Sequence, residues 1–376
     1  MNKKRYKLKN YDFKLVIMLI AITMIGVVAI TSANEAYQAR QLQGFILGLA
    51  AMVIISLIDY SFLLKFYWGY YVLNLLLLAS VLVFGDNSNG ATRWIEIAGI
   101  RFQPSEFAKI LLILFFAQYI MKYKEKFNSL RNIVSMIVLL AIPLLMILKQ
   151  PDLSTSILVC LIFCSLLYVS GLSYKIIAGV LAVVVPATII ALTLVLQPDQ
   201  TIIEPYQQLR ILAWLYPDQY AMTSAYQQEN AKIAIGSGQL WGKGLFSNTI
   251  TSVKNGNFIS EPHTDFIFTI IGEELGFVGS CVVVLLLLLI TLECLKLARR
   301  AKDMAGTLIC VGIAANVGFQ SFINISVATG IFPTTGIPLP FVSYGLTSLV
   351  SLYIGFGFVL NVGLQGIRKS ERREVF

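Results

Sequence analysis

Charge is the scarce ingredient of this sequence. Asp, Glu, Lys and Arg make up 13% of its 376 residues, whereas 57% are hydrophobic; soluble domains carry roughly a quarter charged residues. That balance excludes a water-soluble chain of several domains, a disordered chain, a collagen-like fibre and a disulfide-rich secreted scaffold. Histidine occurs once, at His263, so chemistry that needs several imidazoles is out of reach. The five cysteines, Cys160, Cys164, Cys281, Cys294 and Cys310, lie inside apolar runs without paired metal-ligand spacing and read as small buried hydrophobes. No HExxH, GxSxG or Cys/His nucleophile pattern occurs. The segment Gly236-Ser-Gly238-Gln-Leu-Trp-Gly242-Lys-Gly244 has the glycines of a phosphate loop, but no Ser or Thr follows Lys243 and no strand precedes it. It reads instead as a turn at a membrane surface, with Lys243 free to meet lipid phosphate. Chemistry is left to carboxylates, Lys, Arg and backbone.

Long apolar runs are what the sequence has in plenty. Ten are long enough to cross a bilayer, roughly 17–25 residues each: Leu15–Ser32, Gly44–Tyr60, Tyr67–Phe84, Pro104–Met121, Asn132–Leu148, Leu153–Ser170, Ile176–Leu196, Phe266–Leu295, Met304–Thr329 and Phe341–Leu364. The predicted fold is an all-α polytopic membrane protein, a single transmembrane domain over residues 1–376. The eighth run is too long for a simple span, and Gly272, Gly276 and Gly279 predict a bend in its first part. Net charge is +9, which on its own would suggest nucleic acid. Its distribution argues otherwise. With the N-terminus inside, Lys3, Lys4, Arg5, Lys7, Lys9 and Lys14 are cytoplasmic, as are Lys65, Lys122, Lys124, Lys126, Arg131 and Lys175. Lys296, Arg299, Arg300, Lys302, Arg368, Lys369, Arg372 and Arg373 join them, so that 20 of 29 basic residues share one side. The positive-inside rule then gives N-in and C-in, and no nucleic-acid partner is needed. Two connectors on the opposite side, Gly85–Gln103 and Gln197–Thr264, are too long to be mere links. Leu209–Leu215 and Ala225–Ile235 within the second have helical apolar spacing and predict short amphipathic helices at the interface.

Ionisable residues at membrane depth are the informative ones, because an unpaired buried charge costs several kcal/mol. Glu106 and Lys109, at i and i+3, share a helix face; they are either a strut between helices or the charged wall of a cavity that meets substrate. Asp152, after Lys149-Gln150-Pro151, is either a helix cap or part of a binding site. The segment Ser260-Glu261-Pro-His263-Thr-Asp265-Phe266 carries two carboxylates and the lone histidine to the membrane surface. His263 reads as a hydrogen-bonding scaffold. Asp265 is either an N-cap or a general base whose pKa is tuned by low-dielectric surroundings. Glu273 and Glu274 follow along the same run, with no partner nameable from sequence.

One long segment, Ile323-Asn-Ile-Ser-Val-Ala-Thr-Gly330-Ile-Phe-Pro-Thr-Thr-Gly336-Ile-Pro-Leu-Pro-Phe-Val-Ser-Tyr-Gly345, resembles the signature of the SEDS family (shape, elongation, division and sporulation). Three further blocks resemble it too: Asn89-Gly-Ala-Thr-Arg93-Trp94 with Gln103-Pro-Ser-Glu106-Phe-Ala-Lys109, Gln150-Pro-Asp152-Leu-Ser-Thr155, and Glu261 through Phe277. The likeness spans the whole chain. It departs at Leu346-Thr347, where Gly-Ser is commoner, and at Ile259-Ser260. The Asp152 block and Tyr206-Gln-Gln-Leu-Arg210 look more like the elongation branch than the division branch.

The resemblance implies ten membrane helices in the bacterial cytoplasmic membrane. It implies a peptidoglycan glycosyltransferase acting on lipid II and the growing glycan chain at the outer face. Its partners would be a class B penicillin-binding protein, a transpeptidase, and membrane proteins of the elongation complex. The family's essential carboxylate maps onto Asp265 and its charge pair onto Glu106 and Lys109. An inverting transfer from a polyprenyl pyrophosphate needs a base on the attacking hydroxyl, here Asp265, and cations at the leaving group. Arg93, Arg101, Lys109, Arg210 and Lys243 form the expected cation set, with Arg210 and Lys109 nearest pyrophosphate. Trp94, Glu106, Asp152, Glu261 and His263 complete the expected substrate site. A divalent cation (Mg2+ or Mn2+) could replace or assist the cations, although no dedicated ligand cluster is visible. The competing classes are a lipid II flippase and a non-enzymatic scaffold for the transpeptidase.

Overall fold

The computed structural model describes residues 10–88, 91–97, 100–197, 203–247, 252, 256 and 258–366. The terminal basic residues assigned above (Lys3, Lys4, Arg5, Lys7, Lys9 and Arg368, Lys369, Arg372, Arg373) lie outside them, as do Asn89 and Gly90 of the second family block.

Every expected span is a helix. In chain order they are α1 (Phe13–Ala33), α2 (Gln38–Leu57), the single turn α3 (Tyr60–Leu63), α4 (Tyr67–Phe84), α5 (Pro104–Lys122), α6 (Leu130–Lys149), α7 (Leu153–Val169) and α8 (Tyr174–Val195). Two short helices, α9 (Pro205–Leu215) and α10 (Tyr226–Ser237), occupy the second long connector, as their spacing predicts. Then come α11 (Ile267–Ala298), α12 (Met304–Ala328) and α13 (Leu346–Leu364). Among the described residues nine helical segments are long and apolar enough to cross a membrane, and α7, with 17 residues, is an apolar helix shorter than these. The protein is a multi-pass membrane protein.

Short polar residues start the helices where the sequence places them. Asp12 accepts from the Leu15 amide (3.0 Å), Asp59 from Ser61 (2.9 Å), Asp152 from Thr155 (3.1 Å) and Asp303 from Gly306 (2.8 Å), each satisfying an otherwise orphan N–H. Pro104 and Pro205 open α5 and α9, where a missing N–H costs nothing. The buried centre is α5, α12 and α13, while α2 closes tightly on α13: a Cβ at Gly48 would lie 2.7 Å from the Tyr353 ring. Small residues at such crossings let membrane helices approach closely. By contrast α8 buries only Val195, leaving its surface to lipid.

Two expectations need correction. The Gly85–Gln103 connector is no plain loop: β1 (Asp86–Ser88), β2 (Ala91–Ile97) and β3 (Ile100–Phe102) form an antiparallel sheet in that order, with Ile95 opposite Phe102. The fold is therefore helical with a small β-element. The last span starts at Leu346 rather than Phe341, because Phe341 has φ +65° and Gly345 is non-helical. The bend in the long eighth run is real and sits at Gly276 (φ +65°, ψ −162°). The sheet, α9, α10, the segment before α11 and the α12–α13 connector gather at one end of the bundle. The opposite end carries Lys14 and Lys296 on Glu293 (3.5 and 2.5 Å) and Lys302 on Asp59 (3.8 Å).

Candidate active site

The α12–α13 connector grips the segment before α11 by its backbone. Asn324 Nδ2 donates to the Asp265 carbonyl (2.8 Å) and to the Ile337 carbonyl (2.7 Å). Ser343 Oγ donates to the Thr264 carbonyl (2.7 Å), and the Tyr344 amide donates to the His263 carbonyl (2.9 Å). The His263 ring is buried and stacks on Tyr37, with centroids 4.2 Å apart and planes 20° off parallel. The ring is held by stacking rather than by the hydrogen bonds expected of it: Nδ1 is buried with no hydrogen-bond partner among the described residues. All these contacts hold main chain or ring. The Asp265 carboxylate accepts no hydrogen bond among the described residues, and the N-cap position of α11 is Phe266, without a side-chain cap. The cap alternative for Asp265 is therefore not realised.

Charge converges on that uncommitted carboxylate. A Cβ built on Gly336 would lie 3.4 Å from Asp265 Oδ2 and 3.9 Å from an Arg93 terminal nitrogen, so both groups border one point. Arg93, on β2, donates to the Pro151 carbonyl and stands 4.0 Å from Asp152 Oδ1. Of the two roles considered for Asp152, the cap is realised: it holds the start of α7 through the Thr155 amide and hydroxyl (3.1 and 2.8 Å). Arg210, on α9, lies over the Tyr206 ring (5.5 Å), and Tyr206 donates its hydroxyl hydrogen to the Pro151 carbonyl (2.9 Å). Burial pushes the Asp265 carboxyl up to about 6 against the pull of Arg210 and Arg93, and Glu261 and Asp152 add to the rise. Burial, then Arg93 beside it, lowers Arg210. Burial also lowers His263, with Glu261 opposing.

Arg93, Asp152, Arg210, Glu261 and Asp265 thus form one electrostatic group. Other expected members stand elsewhere. Lys243 is not free for phosphate: it pairs with Glu273 (2.7 Å). Arg101 is an exposed residue of β3, and Trp94 is half-buried on β2. Glu106 and Lys109 are each 2% exposed and bonded to each other (2.9 Å). Lys109 donates to Gln320 Oε1 (2.9 Å) and Glu106 accepts from Ser348 Oγ (2.8 Å). Gln320 in turn donates to the Pro338 carbonyl (2.9 Å), so that among the described residues the pair's hydrogen bonds lead into the connector rather than to Asp265 itself. Sequence reading assigned no role to Asn324, Gly336, Tyr206 or Thr335. The signal available is the family-like segment Ile323–Gly345, which contains Asn324, Thr335 and Gly336, together with the Tyr206–Arg210 run.

The family model described as cell cycle protein, covering FtsW, RodA and SpoVE, matches residues 11–366. The chain belongs to the SEDS family. Peptidoglycan glycosyltransferase MrdB of Escherichia coli is 36% identical over 369 residues, 96% of each chain. Probable peptidoglycan glycosyltransferase FtsW of Geobacter metallireducens is 34% identical over 375 residues, 95% of each. The SEDS fold is matched in solved structures as well. One is a chain from work on the structural coordination of polymerization and crosslinking by a peptidoglycan synthase complex: TM-score 0.75, 28% identity, 94% of this chain and 97% of that one. Another is the rod shape determining protein RodA of Thermus thermophilus: TM-score 0.69, 28% identity, 96% and 98%. This SEDS chain is homologous to peptidoglycan glycosyltransferases along essentially its whole length.

Proposed function

We propose that this protein polymerises lipid II into β-1,4 glycan strands at the outer face of the cytoplasmic membrane, during cell elongation, with Asp265 as general base. One observation carries the reading: a carboxylate raised to about 6 that accepts no hydrogen bond among the described residues, beside two guanidinium groups. The acceptor sugar's 4-hydroxyl gives its proton to Asp265 as its oxygen attacks C1 of the donor sugar. The C1–O bond to the polyprenyl diphosphate breaks, with inversion. Arg93 and Arg210 meet the charge that develops on the departing diphosphate. Arg93 Nε and Thr335 Oγ1 are buried without a partner among the described residues, and buried donors call for acceptors such as phosphate oxygens. A transpeptidase partner is supported by the likeness to a chain of a peptidoglycan synthase complex.

The burial of Glu106 and Lys109 favours this reading over a flippase. Transport needs polar stations open along the path, and this pair is sealed among α5, α12 and α13. The test is the purified protein with its transpeptidase partner on labelled lipid II: glycan ladders are expected, and unchanged lipid II would defeat the reading.

Two further outcomes follow. Gly336 holds φ +76° beside the carboxylate, so Gly336→Ala is expected to displace Asp265 and cut polymerisation on the order of 100-fold, with the protein still folded. Wild-type rates in that variant would mean that Gly336 does not border the reacting group. For orientation, N-in with ten spans puts the α9–α10 connector outside, where Met222 is 88% exposed. Cysteine at position 222 is expected to react with an impermeant maleimide in intact spheroplasts; reaction only after lysis reverses the topology.

A further inference from the structure

We infer that the turn Gln239–Phe246 is a bilayer anchor, inserted among lipid chains at the Asp265 end of the bundle and there replacing the hydrogen bonds lost where α11 breaks. The break at Gly276 frees main-chain groups that a continuous helix would pair, and a membrane supplies no water to satisfy them. The turn supplies them instead. The Phe277 and Val278 amides donate to the carbonyls of Gln239 (2.8 Å) and Leu240 (3.2 Å). The Lys243 and Gly244 amides donate to the carbonyls of Glu273 (2.9 Å) and Glu274 (3.0 Å). Contact is backbone to backbone: a Cβ at Gly242 would lie 2.1 Å from the Glu274 oxygen, and one at Gly276 2.3 Å from the Gly242 nitrogen.

Two independent observations give the depth. Beyond the break, Phe277–Ala298 is 22 residues of α11, about 33 Å at 1.5 Å per residue, enough by itself for a hydrocarbon core of about 30 Å. The break, and the turn bonded to it, therefore sit at the boundary of that core. Leu245 also lines an apolar cavity of about 270 Å³ with Met24, Ile25 and Val28 of α1. Those residues lie roughly one and a half to two and a half helical turns short of Ala33, inside a membrane-spanning helix. A turn that reaches them reaches lipid.

The side chains suit that place. Leu240, Trp241, Leu245 and Phe246 are 52%, 75%, 48% and 50% exposed, a cluster that water would penalise. Trp is favoured at membrane interfaces. Lys243, the turn's one charge, is neutralised by Glu273. The occupant of this surface is the bilayer itself.

Depth-resolved quenching tests this on the full-length protein in phosphatidylcholine nanodiscs. The chain has four tryptophans, and Trp241 emission is the difference between the native protein and Trp241→Phe. Acyl chains brominated near the head group are expected to quench that difference at least twofold, with aqueous iodide having little effect. Quenching chiefly by iodide, or by neither agent, overturns the inference. The readout is independent of any enzymatic activity.

Discussion

Asp265→Asn is expected to reduce lipid II polymerisation by on the order of 10²–10⁴-fold, the usual cost of losing a general base, with the protein still folded and still bound to its partner. Asparagine keeps the volume and cannot accept the hydroxyl proton. The contacts that place the segment survive, because Asn324, Ser343 and Tyr344 hold carbonyls at 263–265 rather than the carboxylate. Stability follows the same sign. A carboxyl raised to about 6 from 3.8 binds its proton more tightly when folded, so its stabilising contribution is full below pH 3.8 and is lost as pH rises through 6. At pH 7 the amide is expected to melt no lower than the parent. The parent's rate is expected to climb as pH rises through about 6 and then level, provided no second group titrates. Normal polymerisation by Asp265→Asn in the purified complex would remove Asp265 from the chemistry.

Either single change in the buried pair, Glu106→Gln or Lys109→Met, is expected to damage folding by about 3–5 kcal/mol, the cost of stranding one buried charge. The double variant is expected to recover expression and thermal stability. Its polymerisation is expected to remain reduced, roughly 10–100-fold, because Gln320 then loses its hold from Lys109 and the connector that positions Asp265 loosens. Full activity in the double variant would reduce the pair to a strut. Loss of stability as severe as in either single variant would show that charge is not what the site needs.

The spans were legible because twenty apolar residues in a row have few other uses. The exceptions are physical. Phe341 and Val342 extend the last apolar run, yet they belong to a connector clamped by Ser343, and hydropathy carries no information about a positive φ. Strands of three, seven and three residues leave no pattern beside spanning helices of 17 to 32 residues. At the site, spacing along one helix made Glu106 and Lys109 legible as a pair. Gln320 and Ser348, which decide how sealed the pair is, come from distant helices. Asp265 was visible as a candidate and undecidable between cap and base. The cap is ruled out only in the folded protein, where Phe266 takes the N-cap position of α11 and the Asp265 carboxylate accepts no hydrogen bond among the described residues. Lys243 is misread for the same reason: its partner Glu273 is 30 residues on, in the first part of α11, and meets it only in the fold.

The bonds around the Glu106–Lys109 pair also have a direction. Ser348 donates to Glu106, Lys109 donates to Glu106 and to Gln320 Oε1, and Gln320 passes its N–H to the Pro338 carbonyl. The last station is a carbonyl, which only accepts. Exchanging the two charged residues would conserve charge and nearly conserve volume. Gln320 would then have to turn its amide toward the new carboxylate, leaving its own oxygen against the Pro338 oxygen, and two acceptors share no hydrogen. Proline has no amide hydrogen with which the connector could answer. The order of Glu and Lys along α5 is thus dictated from outside α5, by the carbonyl that ends the run of donors from Lys109 through Gln320 into a remote loop.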